Sequence, residues 1–288
     1  MDNAKLLKKI FNIPKWPSID FSLSEVSLEA QELAGKLSIS GVQPKLSVKL
    51  DRRKNALIST IKGGEFILKP QTSVYPNIPE NEQCCMDMAA ALGIAVPDHC
   101  LLPLKDNSLA YIVKRYDRNK VDKYNQEDFQ QILEKDDKYM GSVEEICRAI
   151  NSISAVPGLD VQLLYERVIF NFIIGNGDAH FKNYSMITYN DIDRRLAPAY
   201  DLVCSKLIIP KGKDSALAIN GKQNNLKRKD FDILGDYCKI PEKIRYEKFD
   251  QKFNIMRKMI ESSQVDQEKK KNFIEIIKER LHRLKLSE

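Results

Sequence analysis

Asn171-Phe172-Ile173-Ile174-Gly175-Asn176-Gly177-Asp178-Ala179-His180-Phe181-Lys182-Asn183-Tyr184-Ser185 is the stretch on which the reading of this chain turns. It opens as an apolar run, the end of a buried helix expected over 160–174. It breaks at Gly175-Asn176-Gly177, residues that accept positive φ and reverse the chain sharply. Asp178, His180 and Asn183 then follow within six positions. Alone, the segment reads equally as a surface turn rich in turn formers. A second piece changes the balance. Ala199-Tyr200-Asp201-Leu202-Val203 places one carboxylate in an apolar run, after a strand expected over Tyr184 to Tyr189 and a turn at Asn190-Asp191. A charge there is costly to bury unless it is paired or bound to a metal.

The 288 residues suffice for a large core and two lobes, and 43% hydrophobic content excludes a disordered tail. No apolar run has the length of a membrane span, and the first residues show neither a long apolar segment nor a small-residue cleavage site. A cytoplasmic location with no membrane contact is therefore expected. The net charge of +6 is mild and spread over late helices and turns, so direct nucleic-acid binding is weakly supported. The six cysteines form no C-x-x-C pair and sit in apolar contexts, which fits reduced, buried thiols. The three histidines are too scattered for a metal site.

Along the chain, residues 1–22 read as an irregular arm around Pro14, Trp16 and Pro17. A helix is expected over 24–33, with Ser24 as its cap. Leu37 to Leu50 alternates at both flanks around a small, flexible middle. Strands follow at 56–61 and 65–70, and together these segments read as an antiparallel meander. Residues 79–92 read as a helix with Pro79 at its start. Two more strands are expected at 99–104 and 109–116, and helices at 126–133, 142–153, 160–174 and through 229–286. The implied fold is α+β: an antiparallel-sheet lobe over residues 1–116 and a mainly helical lobe over 117–288, with a cleft between them.

An Asp followed five residues later by an Asn, leaving a buried helix, is also the spacing of the protein-kinase catalytic loop. A metal-binding Asp lies about twenty residues further on in that arrangement. ATP chemistry needs flexible backbone at the phosphates, a cation on them, and anions for Mg²⁺. The loop Ser40-Gly41-Val42-Gln43-Pro44-Lys45 can supply the first. Lys69, oriented by Glu82, can supply the second, and Asn183 with Asp201 the third. Asp178 is then free to take or orient the proton of a substrate hydroxyl. Taken singly, Ser40-Gly41 is equally a strand-end turn and Lys69 a lysine snorkelling from an edge strand. Glu82 is equally a first-turn carboxylate, His180 an orienting hydrogen-bonder and Tyr116 a packing residue. Their order along the chain is what those separate readings leave unexplained.

That ordered set resembles the HipA family of bacterial serine/threonine kinases, the toxins of toxin–antitoxin systems. The matching pieces are Ser38 to Lys45, Ile67 to Pro70, Asn81-Glu82, Lys114 to Arg118, Gly177 to Ser185 and Ala199 to Asp201. The resemblance implies a two-lobed, protein-kinase-like fold using ATP and Mg. It makes Asp178 catalytic and Asn183 and Asp201 metal ligands. Lys69, the Ser40–Lys45 loop and the Lys114-Arg115-Tyr116 hinge fall on the nucleotide side, together with Glu82, His180, Phe181, Lys182 and Tyr200. It implies autophosphorylation at Ser38, with Ser40 a second hydroxyl two residues on. Pro44 departs from members with an acidic residue there and removes one backbone N–H from the loop. The chain also begins late for the family, as in a short variant whose N-terminal subdomain is a separate small protein. The implied partners are that protein, a helix-turn-helix antitoxin through which DNA is reached indirectly, and a protein substrate of the aminoacyl-tRNA synthetase class. The alternatives are a catalytically silent partner-binding module of the same fold in an antitoxin repressor complex, and a small-molecule kinase.

Overall fold

The computed structural model describes residues 3–34, 44–72, 74–119, 123–190 and 192–287. The chain divides into two compact units: residues 1–83 with 97–116, and residues 84–96 with 117–288.

The first unit is built on a five-stranded antiparallel sheet. Helices α1 (Asn3–Ile10) and α2 (Leu23–Ala34) precede strands β1 (Leu46–Asp51), β2 (Ala56–Ser59) and β3 (Phe66–Pro70). Helix α3 (Ile78–Ala91) begins here, and β4 (His99–Pro103) and β5 (Leu109–Lys114) complete the sheet. The strand order is β2-β1-β3-β5-β4. The expected meander is thus corrected: β3 pairs with the far edge of β1, not with β2. The expected arm at the N-terminus is corrected too, because residues 3–10 are helical. Trp16 follows that helix and meets Phe11 edge-to-face at 6.1 Å. Helix α2 starts one residue before Ser24, and its entry is tied by Ser22, whose N–H donates to Glu25 Oε2 at 2.7 Å.

Period-two alternation decides what each face of this sheet carries. Leu46, Val48 and Leu50 of β1, Phe66 and Leu68 of β3, Cys100 and Leu102 of β4, and Ala110 and Ile112 of β5 join one buried cluster. Leu7 and Ile10 of α1, Phe11 just after it and Val26 of α2 cover it. The register places Leu46 opposite Leu68 and Leu68 opposite Ile112, so the apolar face is continuous. Lys69, one residue on from Leu68, therefore points to the other face, opposite Tyr111 in β5.

The second unit is mainly helical around a three-stranded sheet of order β6-β7-β8. Strand β6 (Asn125–Asp128) runs into a single turn, α4 (Phe129–Ile132), which corrects the helix expected over 126–133. Helices α5 (Val143–Ile153) and α6 (Pro157–Ile173) follow, then β7 (Ser185–Thr188) and β8 (Arg194–Leu196). The unit ends in α7 (Arg228–Tyr237), α8 (Phe253–Ser262) and α9 (Gln267–Arg283). Ser142 and Glu145 close a capping box at the start of α5. From Asp160 on, most of α6 is buried, and the Asp160 carboxylate takes a fork from Arg195 and the Leu196 N–H. In α9, Arg280 and Arg283 both reach the buried Asp214, at 2.8 and 2.6 Å, and lie over the Phe172 ring. All six cysteines are thiols outside any disulfide, and all are buried. No helix among the described residues is long and apolar enough to cross a membrane.

Candidate functional site

In the first unit the polar face of the sheet carries a buried ion pair. Lys69 Nζ donates to Glu82 Oε1 at 2.6 Å, with 6% and 2% of the two side chains exposed. The strand fixes the lysine, and the early part of α3 fixes the glutamate. Its neighbour Glu80 is held separately by Gln71 Nε2 at 2.7 Å. Lys69 Nζ also lies 5.5 Å from the centre of the Tyr111 ring. A lysine so placed has a defined direction, unlike a lysine snorkelling from an edge, and β3 is an interior strand of its sheet. Lys114, expected on the nucleotide side, turns to the Lys9 carbonyl at 3.1 Å and to Asp98 at 3.7 Å. The Arg115 N–H bonds to the Glu65 carbonyl, which continues the β3–β5 pairing past the strand end. Tyr116 and Lys45 are half-buried, as is Pro44. Ser38, Ser40, Gly41, Val42 and Gln43 lie outside the described residues.

In the second unit, α6 ends at Ile173 and Gly175 turns the chain with φ +70°. The turn is then held from several sides. Asn171 donates to the Tyr184 hydroxyl at 3.1 Å and accepts from Asn176 Nδ2 at 3.0 Å. Asn176 Oδ1 accepts the Asp178 N–H at 3.3 Å. The Ser205 hydroxyl takes the Gly177 N–H at 2.8 Å and donates to the Gly175 carbonyl at 3.2 Å. A Cβ on Gly177 would stand 2.1 Å from the Lys213 carbonyl oxygen, so only glycine fits. This bracing leaves Asp178 exposed at the tip.

The loop then folds into a short 3-10 turn, Phe181–Asn183. The His180 N–H is shared between the Asp178 carbonyl at 2.8 Å and Asn183 Oδ1 at 3.1 Å. This fixes the asparagine side chain relative to Asp178. Asn183 Nδ2 lies 3.4 Å from Asp201 Oδ2. Asp201 sits at φ +54°, a left-handed conformation that Asp accepts better than most residues. Tyr200 ties the two segments together: its hydroxyl donates to the Lys182 carbonyl at 2.9 Å and bonds to Ser185. Burial pushes the Tyr200 phenol well above the usual range. The Phe181 ring is fully buried, under Gly141, so its part is to anchor the loop. His180 is also buried, which, with the nearby Lys138, holds its imidazole below the usual value and favours the neutral ring.

Sequence reasoning missed one neighbour of this loop. Tyr139 donates its hydroxyl to Asp178 Oδ1 at 3.0 Å and packs edge-on against His180 at 5.2 Å. It comes from a polar turn without hydrophobic period, and no signal in the sequence joins it to a residue 39 positions away.

No group of three or more His, Cys, Asp or Glu side chains placed to hold a metal ion occurs among the described residues. Asn183 and Asp201 bring two side-chain oxygen donors close together on this loop. That pair suits Mg²⁺, which binds through one or two protein oxygens and completes its shell with phosphate and water. Asn183 Oδ1 keeps a second lone pair beside the His180 N–H, and 3.4 Å is long for a hydrogen bond to a carboxylate.

The chain belongs to the HipA-like C-terminal domain family, whose pattern matches residues 37–282. It is similar to "Putative kinase Y4mE" of Sinorhizobium fredii, with 33% identity over 216 residues, 71% of this chain and 50% of that protein. It is also similar to a "Putative kinase" of Haemophilus influenzae, with 31% identity over 65% of this chain and 58% of that protein. The chain thus spans little more than half the length of these relatives. Among solved structures, a chain of the Shewanella oneidensis toxin–antitoxin complex of HipA, HipB and its operator DNA matches with TM-score 0.69. Identity there is 19%, over 89% of this chain and 70% of that one. The Helicobacter pylori proinflammatory kinase CtkA matches with TM-score 0.61 and 18% identity, over 93% of this chain and 95% of that one. The fold is therefore the one shared by HipA and CtkA.

Proposed function

We propose that this chain is a protein kinase that transfers the γ-phosphate of ATP to a serine or threonine hydroxyl. The observation that carries the reading is the Asn183–Asp201 contact at 3.4 Å, on a braced loop that leaves Asp178 exposed. Asp178 orients the acceptor hydroxyl and takes its proton as the oxygen attacks the γ-phosphorus and ADP departs. Asn183 and Asp201 would hold Mg²⁺, which when bound supplies charge neutralisation on the phosphates. Lys69, kept in place by Glu82, contributes the cation for the ATP phosphates. Because phosphoryl transfer depends chiefly on positioning and charge, this small set suffices.

The relatives' kinase names and the HipA–HipB–DNA complex of the Shewanella protein support a toxin role with a helix-turn-helix antitoxin as partner. DNA would be reached only through that partner. The protein target belongs, on this reading, to the aminoacyl-tRNA synthetase class, and one or both of Ser38 and Ser40 receive a regulatory phosphate. Two added negative charges there would oppose the nucleotide's own.

Intact-mass measurement after incubation with ATP and Mg²⁺ tests the reading. Wild type gains phosphate; Asp178→Asn gains none, yet unfolds within about 0.5 kcal/mol of wild type because the side chain is exposed. Transfer that persists in Asp178→Asn removes the assignment.

A further inference from the structure

We propose that Tyr139 is a positioning residue for Asp178, holding Oδ1 of the carboxylate so that Oδ2 is presented to the acceptor hydroxyl. The inference rests on the phosphotransfer reading above and adds to it a residue outside every motif of the sequence.

An exposed aspartate at a loop tip rotates about χ1 and χ2, and its two oxygens exchange places. Here the backbone is braced by Asn176 and Ser205, but those contacts stop at the main chain. The Tyr139 hydroxyl, 3.0 Å from Oδ1, is the side-chain hydrogen bond that fixes the carboxylate itself. The tyrosine is in turn held by its surroundings. Its N–H donates to Asp137 Oδ1 at 2.8 Å, and its ring stands edge-on to His180 at 5.2 Å. The Lys138 carbonyl accepts the Phe181 N–H at 3.1 Å, which clamps the two loops together beside the contact. Lys138 Nζ lies 4.9 Å from the Tyr139 ring centre. Partial burial, then the Asp178 charge, push the phenol up to about 12, so it remains a donor across the physiological range.

A general base acts only within hydrogen-bond reach of the proton it takes, and small misplacements of the reacting groups are costly. Tyr139 supplies that placement without touching the phosphate chemistry. Its removal should lower the maximal rate and leave nucleotide affinity alone.

The test compares wild type and Tyr139→Phe in the full chain, with Asp178→Asn as the inactive control. Radiolabelled ATP with Mg²⁺ is the probe, and phosphate transfer to the chain and to water is followed over a range of ATP concentrations. The expected result is a maximal rate about tenfold lower in Tyr139→Phe, the effect of losing one hydrogen bond to a charged group, with half-saturating ATP unchanged. A Tyr139→Phe chain as fast as wild type overturns the proposal and leaves the kinase reading standing. So does a loss expressed only in ATP affinity. A wild-type chain that transfers phosphate to neither acceptor ends the kinase reading, and this inference with it.

Discussion

Replacing Glu82 by leucine separates the two things that the Lys69–Glu82 pair does. The side chains are 6% and 2% exposed and 2.6 Å apart, which puts the pair among buried ion pairs. Exposed pairs contribute about 0–1 kcal/mol. Removing one partner of a buried pair leaves a desolvated charge without that partner and costs about 3–5 kcal/mol. That is a large share of the 5–15 kcal/mol, roughly, by which domains are stable. Glu82→Leu should therefore be destabilised by about 3–5 kcal/mol. The double variant Lys69→Met, Glu82→Leu should return to within about 1 kcal/mol of wild type, because apolar groups of similar size replace both charges. Both variants should fail to transfer phosphate. Urea titration followed by tryptophan fluorescence reads the stability. Trp16 is the chain's one tryptophan and belongs to the same unit as the pair, packed on Phe11. The slope of the transition should be unchanged while its midpoint falls. A single variant within about 1 kcal/mol of wild type would refute the argument, as would a double variant no more stable than the single one. Phosphate transfer that survives loss of the lysine would refute its assigned role.

The Asp214 site predicts a pH dependence. Burial opposes its charge, but hydrogen bonds from Arg280 and Arg283 outweigh burial and hold the carboxyl at about 2, below its ordinary 3.8. The folded value is the lower one, so the contribution is complete above pH 3.8 and is lost as pH falls toward 2. After screening it amounts to about 1–2 kcal/mol. Asp214→Asn should be less stable at neutral pH and should lose that part of the acid dependence, as measured by urea midpoints between pH 5 and 2. Gly177→Ala should cost about 1–3 kcal/mol, because its Cβ would meet the Lys213 carbonyl. Since the strain falls beside Asp178, phosphate transfer should drop further than thermal stability does, which parallel rate and melting measurements will show.

Where the sequence was informative, local chemistry carried the signal. The alternation in Leu46 to Leu50 predicted β1, and Ser142 with Glu145 predicted the start of α5. Gly175 and Gly177 marked the turn that the structure puts at the end of α6. Pairing across distance was not legible. Nothing in the turns at 51–55 and 62–64 says that β3 joins β1 on the side away from β2. Asn125–Asp128 lacks an apolar face, so only its pairing with β7 makes it a strand. The contacts of α3 fall in one unit up to Gln83 and in the other from Cys84 on, which no composition shift announces. Lys69, Glu82, Asp178, Asn183 and Asp201 stand out in the sequence as candidates because each is a polar group in an apolar or turn context. Tyr139 could not, because it meets Asp178 only through a hydrogen bond across 39 positions of sequence.

The thiols described above give the chain a built-in clock. Cys100 belongs to the sheet unit, whereas Cys84, Cys85, Cys147, Cys204 and Cys238 belong to the helical one. A sulfur shut away from solvent meets an alkylating reagent only when its surroundings open. Brief labelling during denaturation therefore dates the melting of each half separately, with no introduced probe and no foreign side chain to disturb what is being timed.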